Sequence, residues 1–367
     1  MNELPVSTVV AGAGFLAGMV FGAVANKTDF CTMGAISDIV FMEDWRRMRA
    51  WLLAIAVAIL GTQAMNSAGM IDTSKSIYLT PNFGWLGAVL GGLMFGFGMT
   101  MAGGCGNKTL VRIGGGNLKS LVVLLVIGVA AYMTLRGLIA VGRVRMEAVA
   151  NIDLGSHGLS NQGLPGMLSK LTGLSPTAAR WAVAAPLAAG LLLFCFRDPD
   201  FRGSPAKVVS GLVIGLMVPA GWWITGVLGN DDFSPTALAS FTFIAPIGDS
   251  VEYLMTFSGA TINFGIGTVG GVIAGSLAAA LATGGFRLEG FESANDTLRH
   301  LVGAAMMGIG GVLALGCTIG QGLTGMSTLA AGSLLALLSI IGGGVLGLKY
   351  LERRSVGGAL RAVLVRG

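Results

Sequence analysis

Three of the four cysteines lie in polar stretches that interrupt long apolar runs. They are Cys31, Cys105 and Cys317, and each follows a long apolar run and precedes a short apolar piece. A thiol in such a place can donate a weak hydrogen bond to a sulfur or oxygen anion, or attack one as a thiolate. Free cysteine also often acts as a small buried hydrophobe, which is how we interpret Cys195 inside the run 191–196. The recurrence of the other three in similar breaks favours a functional role.

The residues beside two of these cysteines suit close contact with a small anion. Polar backbone at membrane depth is tolerated only where protein or a water-filled cavity satisfies it, and glycine lets that backbone pack closely. Lys108 and Arg112, four residues apart, would share a helix face and attract an anion, or alternatively act as cytoplasmic topology determinants. The predicted binding residues are Gly104, Gly106, Asn107, Lys108 and Arg112 around Cys105, and Gly316, Thr318 and Gln321 around Cys317.

The spacing of the cysteines argues against a metal centre. None of them forms a CxxC pair, so the sequence predicts neither a disulfide framework nor a zinc site. We therefore predict no metal and no cofactor.

The composition is that of an integral membrane protein. Of 367 residues, 53% are hydrophobic and 11% are charged, against roughly 25% charged in a soluble domain. The 60 glycines are about twice the usual ~7% share, and pairs such as Gly14 and Gly18 let helix backbones approach closely. A net charge of +5 is modest and predicts no nucleic-acid partner. The expected surroundings are the lipid bilayer.

Runs of about 20 apolar residues predict an all-α polytopic protein with about nine transmembrane helices. The predicted spans are 6–25, 46–66, 84–103, 118–140, 178–196, 205–225, 262–283, 298–316 and 328–348. Apolar pieces too short to cross lie between them, at 30–42, 107–113, 234–254 and 318–326. Such pieces are typical of half-helices and re-entrant, glycine-rich loops at the centre of a transporter.

Basic residues cluster at alternate connections and predict the orientation. By the positive-inside rule the C-terminus is cytoplasmic, and counting back over nine spans places the N-terminus in the periplasm. The connection 141–177 disagrees, because it carries Arg143, Arg145 and Lys170 yet falls outside. Either it is a basic outer surface that collects anions, or its side of the membrane is misassigned.

The two halves of the chain are related in sequence. Superimposing Cys105 on Cys317 also aligns Gly104 with Gly316. The matched spans run in opposite directions under this topology, which is typical of the inverted repeats of secondary transporters. We predict one membrane domain over 1–367, with halves at 6–140 and 205–348, a connection with one extra span at 141–204, and a basic cytoplasmic tail at 349–367.

Three phrases, at 30–38, 103–116 and 316–327, resemble the signature loops of the YeeE/YedE family of bacterial inner-membrane sulfur transporters. The similarity runs over nearly the whole chain. It implies an hourglass-shaped protein with nine spanning helices, pseudo-twofold repeats and four loops that meet at the centre. It also implies uptake of thiosulfate, which S–H hydrogen bonds would pass from Cys317 to Cys105 to Cys31.

Two positions depart from the family pattern and leave the cargo open. Ser37 stands where many members have arginine, and Lys108 stands where many have glycine. The alternatives are a selenium species or another sulfur compound as cargo, and a membrane thiol protein that forms persulfide or disulfide intermediates. The sequence contains no nucleotide-binding motif, so a gradient, or consumption by a cytoplasmic sulfurtransferase, would drive import. No enzymatic activity is predicted.

Overall fold

The computed structural model describes residues 5–231 and 236–353, together with positions 355 and 359. Most of the predicted tail, and Ser234 at the start of the predicted piece 234–254, lie outside the described residues. The described chain is mostly helical, and its two short strands, β1 (Asn82–Phe83) and β2 (Ile152–Asp153), pair antiparallel.

The helices occupy the apolar runs of the sequence. In chain order they are α1 (Val6–Thr28), α2 (Thr32–Met42), α3 (Arg46–Ser67), α4 (Trp85–Met101), α5 (Gly106–Gly114), α6 (Leu118–Leu135), α7 (Leu138–Ala150), α8 (Leu164–Thr172), α9 (Pro176–Phe196), α10 (Pro199–Arg202), α11 (Pro205–Trp223), α12 (Ile244–Met255), α13 (Phe264–Ala282), α14 (Ala294–Leu313) and α15 (Ala331–Arg353). A π-helical turn lies at Ile224–Leu228 and another at Gly320–Gly325.

Eight helical segments within the described residues are long and apolar enough to cross a membrane. They are Val6–Met42, Arg46–Ser67, Trp85–Gly114, Leu118–Leu135, Pro176–Phe196, Pro205–Leu228, Phe264–Ala282 and Ala331–Arg353. They coincide with eight predicted spans, and the predicted all-α, polytopic class is confirmed. The ninth predicted span, 298–316, falls on α14, whose 20 residues begin with a polar run that includes Asp296, Arg299 and His300. A count of nine crossing helices stays a prediction.

One predicted span is divided in the structure. The apolar run 118–140 forms α6 and then breaks at Gly137, whose φ of −98° and ψ of −155° are not helical. The exposed helix α7 follows. Arg143 on α7 donates to the Thr134 carbonyl oxygen (3.1 Å) and pairs with Glu147 (2.8 Å), so it closes the open end of α6.

Four short helical pieces lie where the sequence predicts half-helices. α2, α5 and α12 contain 11, 9 and 12 residues, and the fourth piece runs through the π-helical turn Gly320–Gly325. At 1.5 Å per residue a helix of this size is at most about 18 Å long, against ~30 Å of hydrocarbon. None of the four pieces can cross a bilayer alone. Their re-entry into the bilayer stays a prediction.

The long helices pack closely through glycine. α1 packs along α13, and α4 packs along α15. A methyl group on Gly22 would lie on the carbonyl of Val272, and one on Gly96 would lie on the carbonyl of Ile340. α3 and α11 are in similar contact, since a methyl group on Gly211 would approach a backbone oxygen of α3 to 2.7 Å.

The boundaries of the predicted repeat halves stay a prediction.

The two ends of the bundle differ in character. At one end, β2 in the connection between α6 and α9 pairs with β1 in the connection between α3 and α4, and Gly163 forms a bridge with Ala330. We call this the sheet end. The other end carries Arg46 and is called the basic end; the 22 residues of α3 separate the two by about 33 Å. The connection 141–177 therefore lies at the sheet end, on the other side of the bundle from Arg46.

We predict that Gly22→Ala destabilises the protein by about 1–3 kcal/mol, the usual cost of forcing an extra group into a packed core. The added methyl group would collide with the α13 backbone. Gly12→Ala in the same helix is the matched control, because nothing lies within 4 Å of a methyl group there. Thermal unfolding in detergent should give a lower Tm for Gly22→Ala only. Equal Tm values for the two variants would contradict the packing of α1 on α13.

Candidate functional site

Each of the three predicted cysteines follows the same kind of chain reversal. The residues two positions before them, Asp29, Gly103 and Leu315, have positive φ angles of 54°, 72° and 56°. The residue immediately before each cysteine donates its N–H to the carbonyl oxygen five residues back, at 2.7 to 3.3 Å. This is a Schellman closure, in which a left-handed residue ends a helix and satisfies its last carbonyl groups. The three thiols therefore leave their long helices with the same geometry.

Each of these cysteines also begins a short helix, namely α2, α5 and the piece through Gly320–Gly325. In each case the sulfur lies near the backbone N–H three residues ahead. The Cys317 sulfur accepts from Gly320 at 3.4 Å, whereas Cys31 and Cys105 lie near the N–H groups of Gly34 and Lys108 without a side-chain capping hydrogen bond. A sulfur that accepts from its own helix keeps its S–H free to donate elsewhere.

The three thiols are buried and converge on Cys105; we call them the thiol cluster. The Cys105 sulfur interacts with the Cys31 thiol, lies beside the Thr318 hydroxyl, and has Cys317 close by. The exposed fractions are 4% for Cys31, 1% for Cys105 and 0% for Cys317. All four cysteines of the chain are free thiols. Cys195 is apart from the cluster and donates to a backbone carbonyl oxygen at 3.2 Å, as expected of a structural thiol.

Polar atoms without a partner surround the thiol cluster. Within the described residues, Thr32, Asn107, Thr318 and Gln321 each have a buried side-chain oxygen that makes no hydrogen bond. Thr32 and Thr318 directly follow Cys31 and Cys317, and Asn107 lies two residues after Cys105. Buried polar groups are nearly always satisfied, so these atoms indicate a place for water or a polar ligand. Three helix starts that point their positive ends at one place favour an anion.

The fourth short helix brings no thiol to the cluster. α12 begins after Phe243, and its first turn packs on Gly106, where a methyl group would approach the Ile244 side chain to 3.2 Å. Phe241 and Phe243 are fully buried; Phe241 stacks on Phe21 and Phe243 packs against it edge to face. One side of the cluster is therefore an apolar wall, and the absence of a side chain at Gly106 lets that wall approach.

Other predicted site residues hold the turns beside the thiols. The Gln321 amide donates to the Ala314 carbonyl oxygen and so fixes the loop that leads to Cys317. A methyl group on Gly316 would approach the Gln321 backbone nitrogen to 3.2 Å, and one on Gly104 would approach the Lys108 side chain to 3.0 Å. Tight turns at these two glycines keep the thiols close to the helix starts.

The two predicted cations lie at the edge of the cluster. Both Lys108 and Arg112 line a cavity of about 600 Å³ at the basic end. The lining also contains Glu289, Glu292 and Asp296, so its charge is mixed. Lys108 itself is paired with Asp29. The sequence alone does not indicate this ion pair. Its one hint is that Asp29 lies two residues before Cys31.

A buried phenol that the sequence did not single out covers the cluster on the opposite side. Tyr78, between α3 and α4, is 4% exposed and lies beside Cys317 and Thr242. Burial raises the pKa of the Tyr78 phenol, so it stays a neutral hydrogen-bond donor at physiological pH. Tyr78 also lines a cavity of about 20 Å³ with Gln162 and Ser333, enough for about one water. No pattern in the sequence marks this tyrosine.

Comparison with known proteins identifies the family. The model of the family described as Sulphur transport matches residues 27–346, which is most of the chain. The chain belongs to this family. The match confirms the resemblance to the YeeE/YedE proteins.

Two proteins with similar sequences are named thiosulfate transporter TsuA. The Escherichia coli (strain K12) protein is 28% identical over 323 residues, which are 85% of this chain and 86% of the relative. The Spirochaeta thermophila protein is 27% identical over 329 residues, 85% of this chain and 90% of the relative. A second E. coli protein, named probable transporter YedE, is 30% identical over 101 residues, 28% of this chain and 23% of the relative.

We predict that Thr318→Val costs less stability than Thr324→Val, because the Thr318 hydroxyl lies beside the Cys105 sulfur, a weak acceptor. Thr324→Val in the same short helix is the matched control. It loses a 2.6 Å hydrogen bond to the Phe241 carbonyl oxygen and should cost about 1–2 kcal/mol. Thermal unfolding in detergent measures both changes. A larger loss of stability in Thr318→Val than in Thr324→Val would contradict the open hydroxyl at the cluster.

Proposed function

We propose that this protein is a membrane transporter that imports thiosulfate. The proposal is carried by one observation: three buried thiols, each at the start of a short helix, converge on Cys105. The thiol cluster would be the substrate relay. The residues that would line it are Gly104, Gly106, Asn107, Gly316, Thr318 and Gln321. The cargo would leave chemically unchanged, so the proposal includes no enzymatic step.

The chemistry of thiosulfate suits this cluster. The anion has a soft terminal sulfur and three oxygens, and it carries two negative charges. Weak S–H donors would hold the sulfur loosely, so that successive thiols can bind and release it. The backbone N–H groups at the helix starts would suit the oxygens. The names of the relatives at 28% and 27% identity support the same cargo here.

The proposed order of the thiols follows from the two ends of the bundle. Cys317 lies beside Tyr78, which belongs to the sheet end, whereas Cys31 interacts with Lys108 of the basic end. By the positive-inside rule, the basic end would face the cytoplasm of a bacterial inner membrane. Thiosulfate would then pass from Cys317 to Cys105 to Cys31.

The membrane potential opposes this import. Moving a dianion into a negative-inside cell costs roughly 4–5 kcal/mol at 100 mV. A relay of neutral thiols supplies no such energy. We therefore propose that a cytoplasmic sulfurtransferase consumes the anion after entry, or that cations enter with it.

Uptake of radiolabelled thiosulfate into vesicles tests the relay. Cys105→Ala should abolish saturable uptake, because it removes the central donor. Cys105→Ser keeps a hydroxyl donor and should retain part of the uptake. Cys195→Ala is the matched control, since it removes an equally buried thiol outside the cluster and should transport like the unchanged chain. Excess sulfate should not compete, because it lacks the soft sulfur.

Three outcomes of this experiment would contradict the proposal. Saturable uptake that survives Cys105→Ala would exclude the relay. Stronger competition by selenite than by unlabelled thiosulfate would favour a selenium cargo. Complete loss of uptake in Cys105→Ser, together with a persulfide on Cys105 of the unchanged chain trapped by alkylation, would favour covalent sulfur transfer.

A further inference from the structure

A network of ion pairs lies beside the thiol cluster at the basic end. The Asp29 carboxylate contacts Lys108 through Oδ1, and it contacts Arg47 through Oδ2 at 2.8 Å. Arg47 also contacts Asp38 at 3.1 Å. The Arg47 guanidinium lies against Gly34, where a side chain would displace it. These contacts join the end of α1 to α2, α3 and α5 around the first thiol.

Lys108 is the member of this ion-pair network that lies beside the thiol cluster. Its backbone N–H interacts with the Cys105 sulfur, and its ammonium group is close enough to act electrostatically on Cys31. The Lys108 side chain is 15% exposed, whereas that of its partner Asp29 is 46% exposed. The cation is therefore fixed at the cluster, and the carboxylate lies at the edge, where water can solvate it.

We infer that Asp29 is an exchangeable counter-ion: it holds the Lys108 ammonium when the thiol cluster is empty and yields it to the anion that reaches Cys105 and Cys31. This inference rests on the proposed transport of thiosulfate. When the carboxylate leaves Lys108, its second oxygen keeps the contact with Arg47 and stays nearby. Its return to Lys108 then competes with the anion and favours release toward the basic end.

The exchange keeps the cation paired at every stage. An ammonium on a side chain that is only 15% exposed is costly to leave without a counter-ion, so Lys108 needs a partner both before the anion arrives and after it leaves. A dianion attracts the ammonium more strongly than one carboxylate does, which allows it to displace Asp29. Competition for a single cation then keeps binding weak enough for passage. Without Asp29, the anion would remain paired with Lys108.

A double-mutant cycle on thiosulfate uptake into proteoliposomes tests the exchange. Asp29→Asn should lower both KM and the maximal rate by about fivefold, because binding tightens and release slows. Lys108→Gln should raise KM, and Asp29→Asn should change KM no further in that background. Asp44→Asn is the matched control, since it breaks an exposed pair with Arg46 (2.7 Å) in the adjacent connection and should leave both parameters unchanged.

Two results of the cycle would overturn the inference while leaving the proposed function standing. One is an unchanged KM in Asp29→Asn. The other is a fall in KM that is equally large with and without Lys108, because Asp29 would then act through its own charge. Absence of thiosulfate uptake by the unchanged chain would instead overturn the proposed function, and this inference with it.

A measurement on the unchanged chain covers the case in which Asp29→Asn does not fold. Carbodiimide modification of Asp29, read by mass spectrometry, should increase when thiosulfate is added, because the carboxylate loses its contact with Lys108. Sulfate at the same concentration is the control and should produce no such increase. Equal modification of Asp29 with and without thiosulfate would overturn the inference.

Discussion

The thiol cluster depends on helices that begin inside an apolar bundle. A helix start leaves backbone N–H groups without partners, which is costly away from water. Here α1, α4 and α14 each end in a closure with a left-handed residue, and the next residue but one is a cysteine that begins the following short helix. The ends of the long helices are closed locally, and the thiols are left to interact with one another and with a ligand. The same three residues therefore begin the short helices and form the site.

Glycine packing and charge placement maintain this arrangement. Glycines such as Gly22 and Gly96 bring the backbones of α1 and α4, which lead to Cys31 and Cys105, into contact with neighbouring long helices. Several full charges at the edge of the cluster and toward the ends of the bundle are paired, as in Lys108 with Asp29 and Lys119 with Asp296 (3.2 Å). An anion at the centre would meet weak donors and helix starts before it meets a cation. Such a centre would bind an anion weakly enough to release it again.

The parts of the fold that could be predicted from the sequence are those that depend on local composition. Eight spans and the four short pieces follow from runs of apolar residues, and the cysteines mark the breaks between them. The contacts of the site were less accessible. Leu315 adopts a left-handed conformation that usually calls for glycine, and Asp29 meets Lys108 only because packing brings α1 and α5 together. Tyr78 reaches Cys317 from a connection without any pattern of its own.

The position of a bound anion tests the central claim most directly. Selenosulfate, in which selenium replaces the terminal sulfur of thiosulfate, can be located in crystals by anomalous diffraction at the selenium edge. The thiol cluster should hold a selenium peak in contact with the Cys105 sulfur. A peak confined to the charged cavity beside Arg112, with none at the cluster, would contradict the relay of three thiols.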